Sequence, residues 1–73
     1  VDVGEDAFVI ACAEISGGVK IGRQAWVAPN ASVLNQLKIG EKSIVGLGAV
    51  VVRNVDNCSI VAGNPAKHIR SVD

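Results

Sequence analysis

The stretch IGRQAWVAPNASVLNQLK (residues 21–38) sets Ile21, Val27 and Val33 six residues apart and runs on to Ile39 at the next sixth step. The same spacing extends outward in both directions, through Val3, Val9 and Ile15 on one side and Val45 and Val51 on the other, without an insertion. A period of six fits neither the 3.6 of a helix nor the alternation of an isolated strand. It marks a solenoid in which short strands end in corners and the chain winds on.

A second column supports this. Four residues after each aliphatic stand Ala7, Ala13, Val19, Ala25, Ala31, Leu37, Ser43, Ala49 and Val55, all small or apolar. Residues two apart on a strand share a face, so each strand buries a small residue and then a branched one. Three residues after the aliphatic come Asp6, Cys12, Gly18, Gln24, Asn30, Gln36, Lys42, Gly48 and Asn54. Gly and Asn recur among them, the residues that best tolerate a left-handed turn. Similarity is greatest at three hexads: VGEDAF (3–8) matches IGRQAW (21–26) and IGEKSI (39–44). The repeat is therefore 18 residues and the cross-section a triangle. Three coils run over 1–56, and each face is a three-stranded parallel sheet with strands about 4.8 Å apart. Stacking puts Glu5, Arg23 and Glu41 in one alternating-charge column and Phe8, Trp26 and Ile44 in one outward apolar column.

After Asp56 the period breaks, because Asn57 takes the next aliphatic slot. Residues 57–73 then carry the Gly63-Asn64-Pro65 turn signal and read as a tail that folds over and caps the last coil. The absence of Met, and a solenoid already in register at its first residues, predict N-terminal sequence missing from this chain.

With 73 residues, the chain buries only about 60% of its unfolded surface. Seven Lys plus Arg balanced to zero net charge give no footprint for nucleic acid. No apolar run approaches the 18 or so residues of a membrane span, and no signal peptide is visible. Cys12 and Cys58 form neither a disulfide framework nor a zinc pattern, which suits the cytoplasm.

The hexad pattern resembles the hexapeptide-repeat acyltransferases, whose fold is a left-handed parallel β-helix. The tail Val61-Ala62-Gly63-Asn64-Pro65-Ala66-Lys67, followed by Ile69 and Arg70, is similar to the VxGNPAKxIR ending of acetyl-CoA-using members. The whole chain resembles the C-terminal half of the sialic acid and bacillosamine type sugar acetyltransferases. The stretch ISGGVKIGR (15–23) is also similar to the lipid A UDP-glucosamine N-acyltransferase branch.

The resemblance implies an acyltransferase. A histidine acts as general base on a sugar amine or hydroxyl, which attacks an acyl thioester of CoA or of an acyl carrier protein, between subunits of a homotrimer. No metal takes part. In these families the histidine stands five residues before the Gly of an Ile/Val-Gly pair. Val3-Gly4 matches that pair, which puts the catalytic histidine upstream of Val1 and leaves no catalytic residue in this chain. The absent histidine would share a corner column with Gly17, Asn35 and Arg53, about one strand spacing from Gly17. The resemblance carries cofactor contacts onto Gly17, Pro29 and Leu47. Gly18 lets the backbone approach closely, and Lys67 meets CoA phosphates. A bland alternative makes Gly17 and Gly18 only a tight corner and Lys67 and Arg70 a solvated tail.

His68, the one histidine, falls at the variable position of the ending and reads as a solvent-exposed tail residue. A lone histidine also argues against a γ-type carbonic anhydrase, whose zinc needs three. Phe8 and Trp26 read as a subunit interface ahead of an adenine platform, and Lys20 and Lys38 as a solvated face. The leading function is transfer of an acetyl or longer acyl group to a sugar, with nucleotide-linked sugars as acceptors. Two alternatives remain: a trimeric β-helix that serves only as scaffold, and a short complete enzyme taking its base from elsewhere.

Overall fold

The computed structural model describes residues 2–9 and 13–71. Cys12, expected at a corner, lies outside them. Among the described residues all regular structure is strand, wound as a left-handed parallel β-helix. The first face carries β1 (Asp2–Val3), β4 (Lys20–Ile21) and β7 (Lys38–Ile39). The second carries β2 (Phe8–Val9), β5 (Trp26–Val27), β8 (Ile44–Val45), β10 (Ser59–Ala62) and β11 (Lys67–Ser71). The third carries β3 (Glu14–Ile15), β6 (Ser32–Val33) and β9 (Val50–Val51). Within the coils, partners are 18 residues apart, as in Ile21↔Ile39, Val27↔Val45 and Val33↔Val51.

The two sequence columns become the core. Ile21, Val27, Val33, Ile39, Val45 and Val51 are buried, with Val19, Ala25, Ala31, Ser43 and Ala49 between them. Small and branched side chains alternate because a prism one strand wide leaves room for only one large residue per face per layer. Ser43 fits the small column by donating its hydroxyl to the Gly40 carbonyl, and among the described residues no buried side-chain nitrogen or oxygen lacks a partner. At the N-terminal coil, Val3 and Val9 face inward with no layer beyond them and remain 52% and 39% exposed.

Seven of the described corners bend by the same device. Asp6, Gly18, Gln24, Asn30, Gln36, Lys42 and Gly48 all adopt φ between 58° and 75°. In the corners at 4–7, 22–25 and 28–31 the fourth residue's N–H donates to the first residue's carbonyl at 3.2–3.3 Å. This is the pattern of a turn whose third residue needs positive φ. Gly and Asn at this position are natural, whereas Gln24, Gln36 and Lys42 are held there against a cost of about 1 kcal/mol each. What holds them is the preceding coil: Gln24 N–H donates to the Glu5 carbonyl at 2.9 Å, and Lys42 N–H to the Arg23 carbonyl at 3.0 Å.

The third coil departs from the repeat. Ile39 bridges to Val55, 16 residues on, and Val45 pairs with Val61, again 16 on. The corner after β9 is two residues short. Val55 therefore takes the inward aliphatic slot that the 18-residue repeat assigns to Asn57, and Ser59 and Val61 follow it at the ordinary hexad spacing, all three buried. The spiral thus continues through β10, the first strand of the expected tail, before the chain turns back as β11, antiparallel to β10.

Each sheet edge at this end is closed differently. β11 covers the second face. The loop at 63–66 covers the third, where Val50 N–H donates to the Gly63 carbonyl and Ala66 N–H to the Val50 carbonyl. On the first face, side chains stand in for backbone: Lys38 N–H donates to Asn54 Oδ1 at 2.9 Å and Glu41 N–H to Asn57 Oδ1 at 2.8 Å.

Candidate functional site

The residues singled out for cofactor contact fall along the two borders of the third face. Pro29 and Leu47 stand on the corner leading into it, stacked one coil apart, with Gly48 N–H donating to the Pro29 carbonyl at 3.1 Å. Leu47 is 74% exposed. Gly17 and Gly18 stand on the corner leading out of it. Between the borders lie the outward residues Glu14, Ser32 and Val50, so the strip is nearly flat and lightly charged. The borders frame it.

Gly17 and Gly18 differ. A Cβ at Gly17 meets nothing within 4 Å. The position is open to solvent, and its carbonyl accepts the Gln36 N–H at 3.0 Å. Gly18 has φ +75°, and a Cβ there would press on Gln36 Cγ at 3.1 Å. Gly18 is thus explained by the corner, whereas Gly17 is not: nothing in the fold requires that position to lack a side chain.

Lys67 opens β11 opposite Ala62 and is exposed. It follows directly on Ala66, which is tied to Val50 of the third face, and so stands where the chain passes from that face's edge to the second face. His68 is exposed on β11 in register with Val61, outside the column of Gly17, Asn35 and Arg53. Among the described residues no group of three or more His, Cys, Asp or Glu converges to hold a metal ion. Among the described residues no helix is long and apolar enough to cross a membrane.

The apolar column on the second face forms as the stacking predicts. Phe8 pairs with Trp26 and Trp26 with Ile44, and the column extends to Ile60. The Phe8 and Trp26 ring centroids are 6.2 Å apart and tilted by 46°, within the range of favourable aromatic pairs. They remain 63% and 48% exposed. A second apolar stack, Leu34 over Val52, was not foreseen. It borders the third face on the corner next to Gly17, and its members are 48% and 40% exposed. Its signal was the 18-residue spacing of the two residues.

No protein-family model matches the chain, and no curated protein matches it. Solved structures do. A variant of perosamine N-acetyltransferase from Caulobacter crescentus, in complex with CoA and GDP-perosamine, superposes with a TM-score of 0.92 at 32% identity, over 94% of this chain and 33% of that one. The polysialic acid-specific acetyltransferase NeuO matches at 33% identity and a TM-score of 0.71, over 74% of this chain and 25% of that one. A hexapeptide-repeat-containing acetyltransferase from Vibrio cholerae, complexed with acetyl-coenzyme A, matches at 28% identity and a TM-score of 0.64, over 84% and 30%. The chain spans about a third or less of the length of these structures.

Proposed function

From a β-helix whose solved neighbours are hexapeptide-repeat sugar acetyltransferases, we propose that this chain is the donor-binding solenoid of an acetyltransferase acting on a sugar amine or hydroxyl. The single observation that carries the reading is the 0.92 superposition over 94% of the chain on an enzyme holding both CoA and a nucleotide sugar. In the proposed reaction the acceptor's lone pair attacks the thioester carbonyl, the acceptor loses a proton to a general base, and the CoA thiolate leaves. The resemblance assigns that base to a histidine five residues before Gly4, outside this sequence. The chain's own residues would bind and orient the donor. The pantetheine arm would lie along the third face, close against Gly17 where no side chain intervenes, with Pro29, Leu47 and Leu34 as apolar borders. Lys67 would meet donor phosphates at the edge of the face.

The active assembly in this reading is a homotrimer, its subunits joined through the column of exposed Phe8 and Trp26 and half-buried Ile44, and its compartment is the reducing cytoplasm, consistent with the free thiol of Cys58. Isothermal titration of the chain with acetyl-CoA, with mass measured by sedimentation in parallel, tests both parts. Binding by a trimer supports the reading. A trimer indifferent to acetyl-CoA would make the chain a scaffold.

A further inference from the structure

The three faces of the prism do not present the same chemistry outward. From the first project Asp2, Lys20 and Lys38, stacked in register and all exposed. The second bears the Phe8–Trp26–Ile44 column. The third bears the Leu34–Val52 stack, beside half-buried Val50. Two adjoining faces are thus apolar on the outside as well as the inside, and one is charged. Exposed apolar residues scattered singly are ordinary, whereas columns of them mark contact surfaces.

A two-fold contact sets one patch against its own copy, but a closed ring of three needs two different patches on every chain. The second face supplies one of them. Resting on the homotrimer of the proposed function, we propose that the Leu34–Val52 stack is the other. The Trp26 column of each copy then packs on Leu34 and Val52 of the next. Height along the prism favours this pairing. Rotation about an axis parallel to the solenoid keeps every residue at its own level, and each 18-residue coil rises about 4.8 Å. Leu34 follows Trp26 by eight residues, and Val52 follows Ile44 by eight. Each pair is therefore level to within about 2 Å. The first face offers no apolar column at any height, so its lysines and Asp2 stay in solvent.

The test is a charge swap read by sedimentation equilibrium, without donor. Trp26 and Leu34 are each 48% exposed and lie on different faces, so the variants should keep their strand content by circular dichroism. Trp26→Lys and Leu34→Glu should each weaken assembly about tenfold or more. Combined in one chain, they should associate about threefold or more tighter than either alone, because every contact then opposes a lysine to a glutamate. Lys20→Glu, on the first face, should leave the mass unchanged. A Leu34→Glu trimer as stable as the parent's would overturn the pairing while leaving the homotrimer standing. A double variant no tighter than its singles would overturn it too, and so would an equal loss from Lys20→Glu. A parent that sediments as a monomer or dimer would remove the homotrimer and this pairing together.

Discussion

The backbone N–H of Glu41 donates to Asn57 Oδ1 at 2.8 Å, and three residues earlier Lys38 N–H donates in the same way to Asn54 Oδ1. In the coils below, the N–H of Lys20 is received by a backbone carbonyl, that of Leu37 at 3.0 Å. Two side-chain amides thus complete a sheet edge that the shortened coil leaves open. Because both bonds are solvent-exposed, water can replace them in part. Asn57→Ala and Asn54→Ala should each cost about 0.5–1 kcal/mol in urea unfolding. Faster hydrogen exchange should appear at Glu41 and Lys38 respectively, and an unchanged exchange rate would contradict the role.

Glycines of the same chain should respond in opposite ways to alanine. A Cβ on Gly22 would stand 2.6 Å from the Glu41 backbone nitrogen and 2.8 Å from the Gly40 carbonyl carbon, where only main chain could yield. Gly22→Ala should cost upwards of about 2 kcal/mol. Gly17→Ala should lie within about 0.5 kcal/mol of the parent. Thermal unfolding of the pair decides it.

The openness around Gly17 also separates binding from folding. If the donor passes there, Gly17→Leu should weaken acetyl-CoA about tenfold or more in calorimetry, with the unfolding temperature unmoved. Equal affinity for the variant and the parent would remove Gly17 from the site.

At the corners, glycine should help where a longer side chain is strained. Gln24→Gly relieves the left-handed penalty but adds flexibility to the unfolded chain, for a net gain of about 0.5 kcal/mol. Gln24→Val, β-branched at φ 59°, should lose more than about 1 kcal/mol. Denaturant midpoints for the two variants should bracket that of the parent.

Trp26→Ser touches no core residue, since the ring lies outside the prism. It should leave the strand content by circular dichroism intact and shift the sedimentation equilibrium toward monomer. Retained assembly would move the proposed interface off the second face.

Most of the winding was legible because one physical constraint, a narrow dry interior, acts on every sixth residue and on its small neighbour. Ile21, Val27 and Val33 could hardly be read otherwise. The shortened coil was not legible by the 18-residue rule, which put Asn57 in the aliphatic slot. The hexad rule did hold the answer, since Val55, Ser59 and Val61 keep the branched–small–branched spacing on their own. The left-handed corners at Gln24, Gln36 and Lys42 were hidden for a different reason: their conformation is set by cross-coil hydrogen bonds and not by residue preference. At the candidate site the sequence marked the glycine pair, but only coordinates separate Gly18, which the corner needs, from Gly17, which it does not.

β11 runs opposite to every strand beneath it. A solenoid lengthens by duplication only if each new coil finds a parallel template, and an antiparallel strand on the second face offers none. Together with a final coil two residues narrower than its predecessors, the hairpin acts as a terminator. On this face it denies a further coil a parallel edge to stack on.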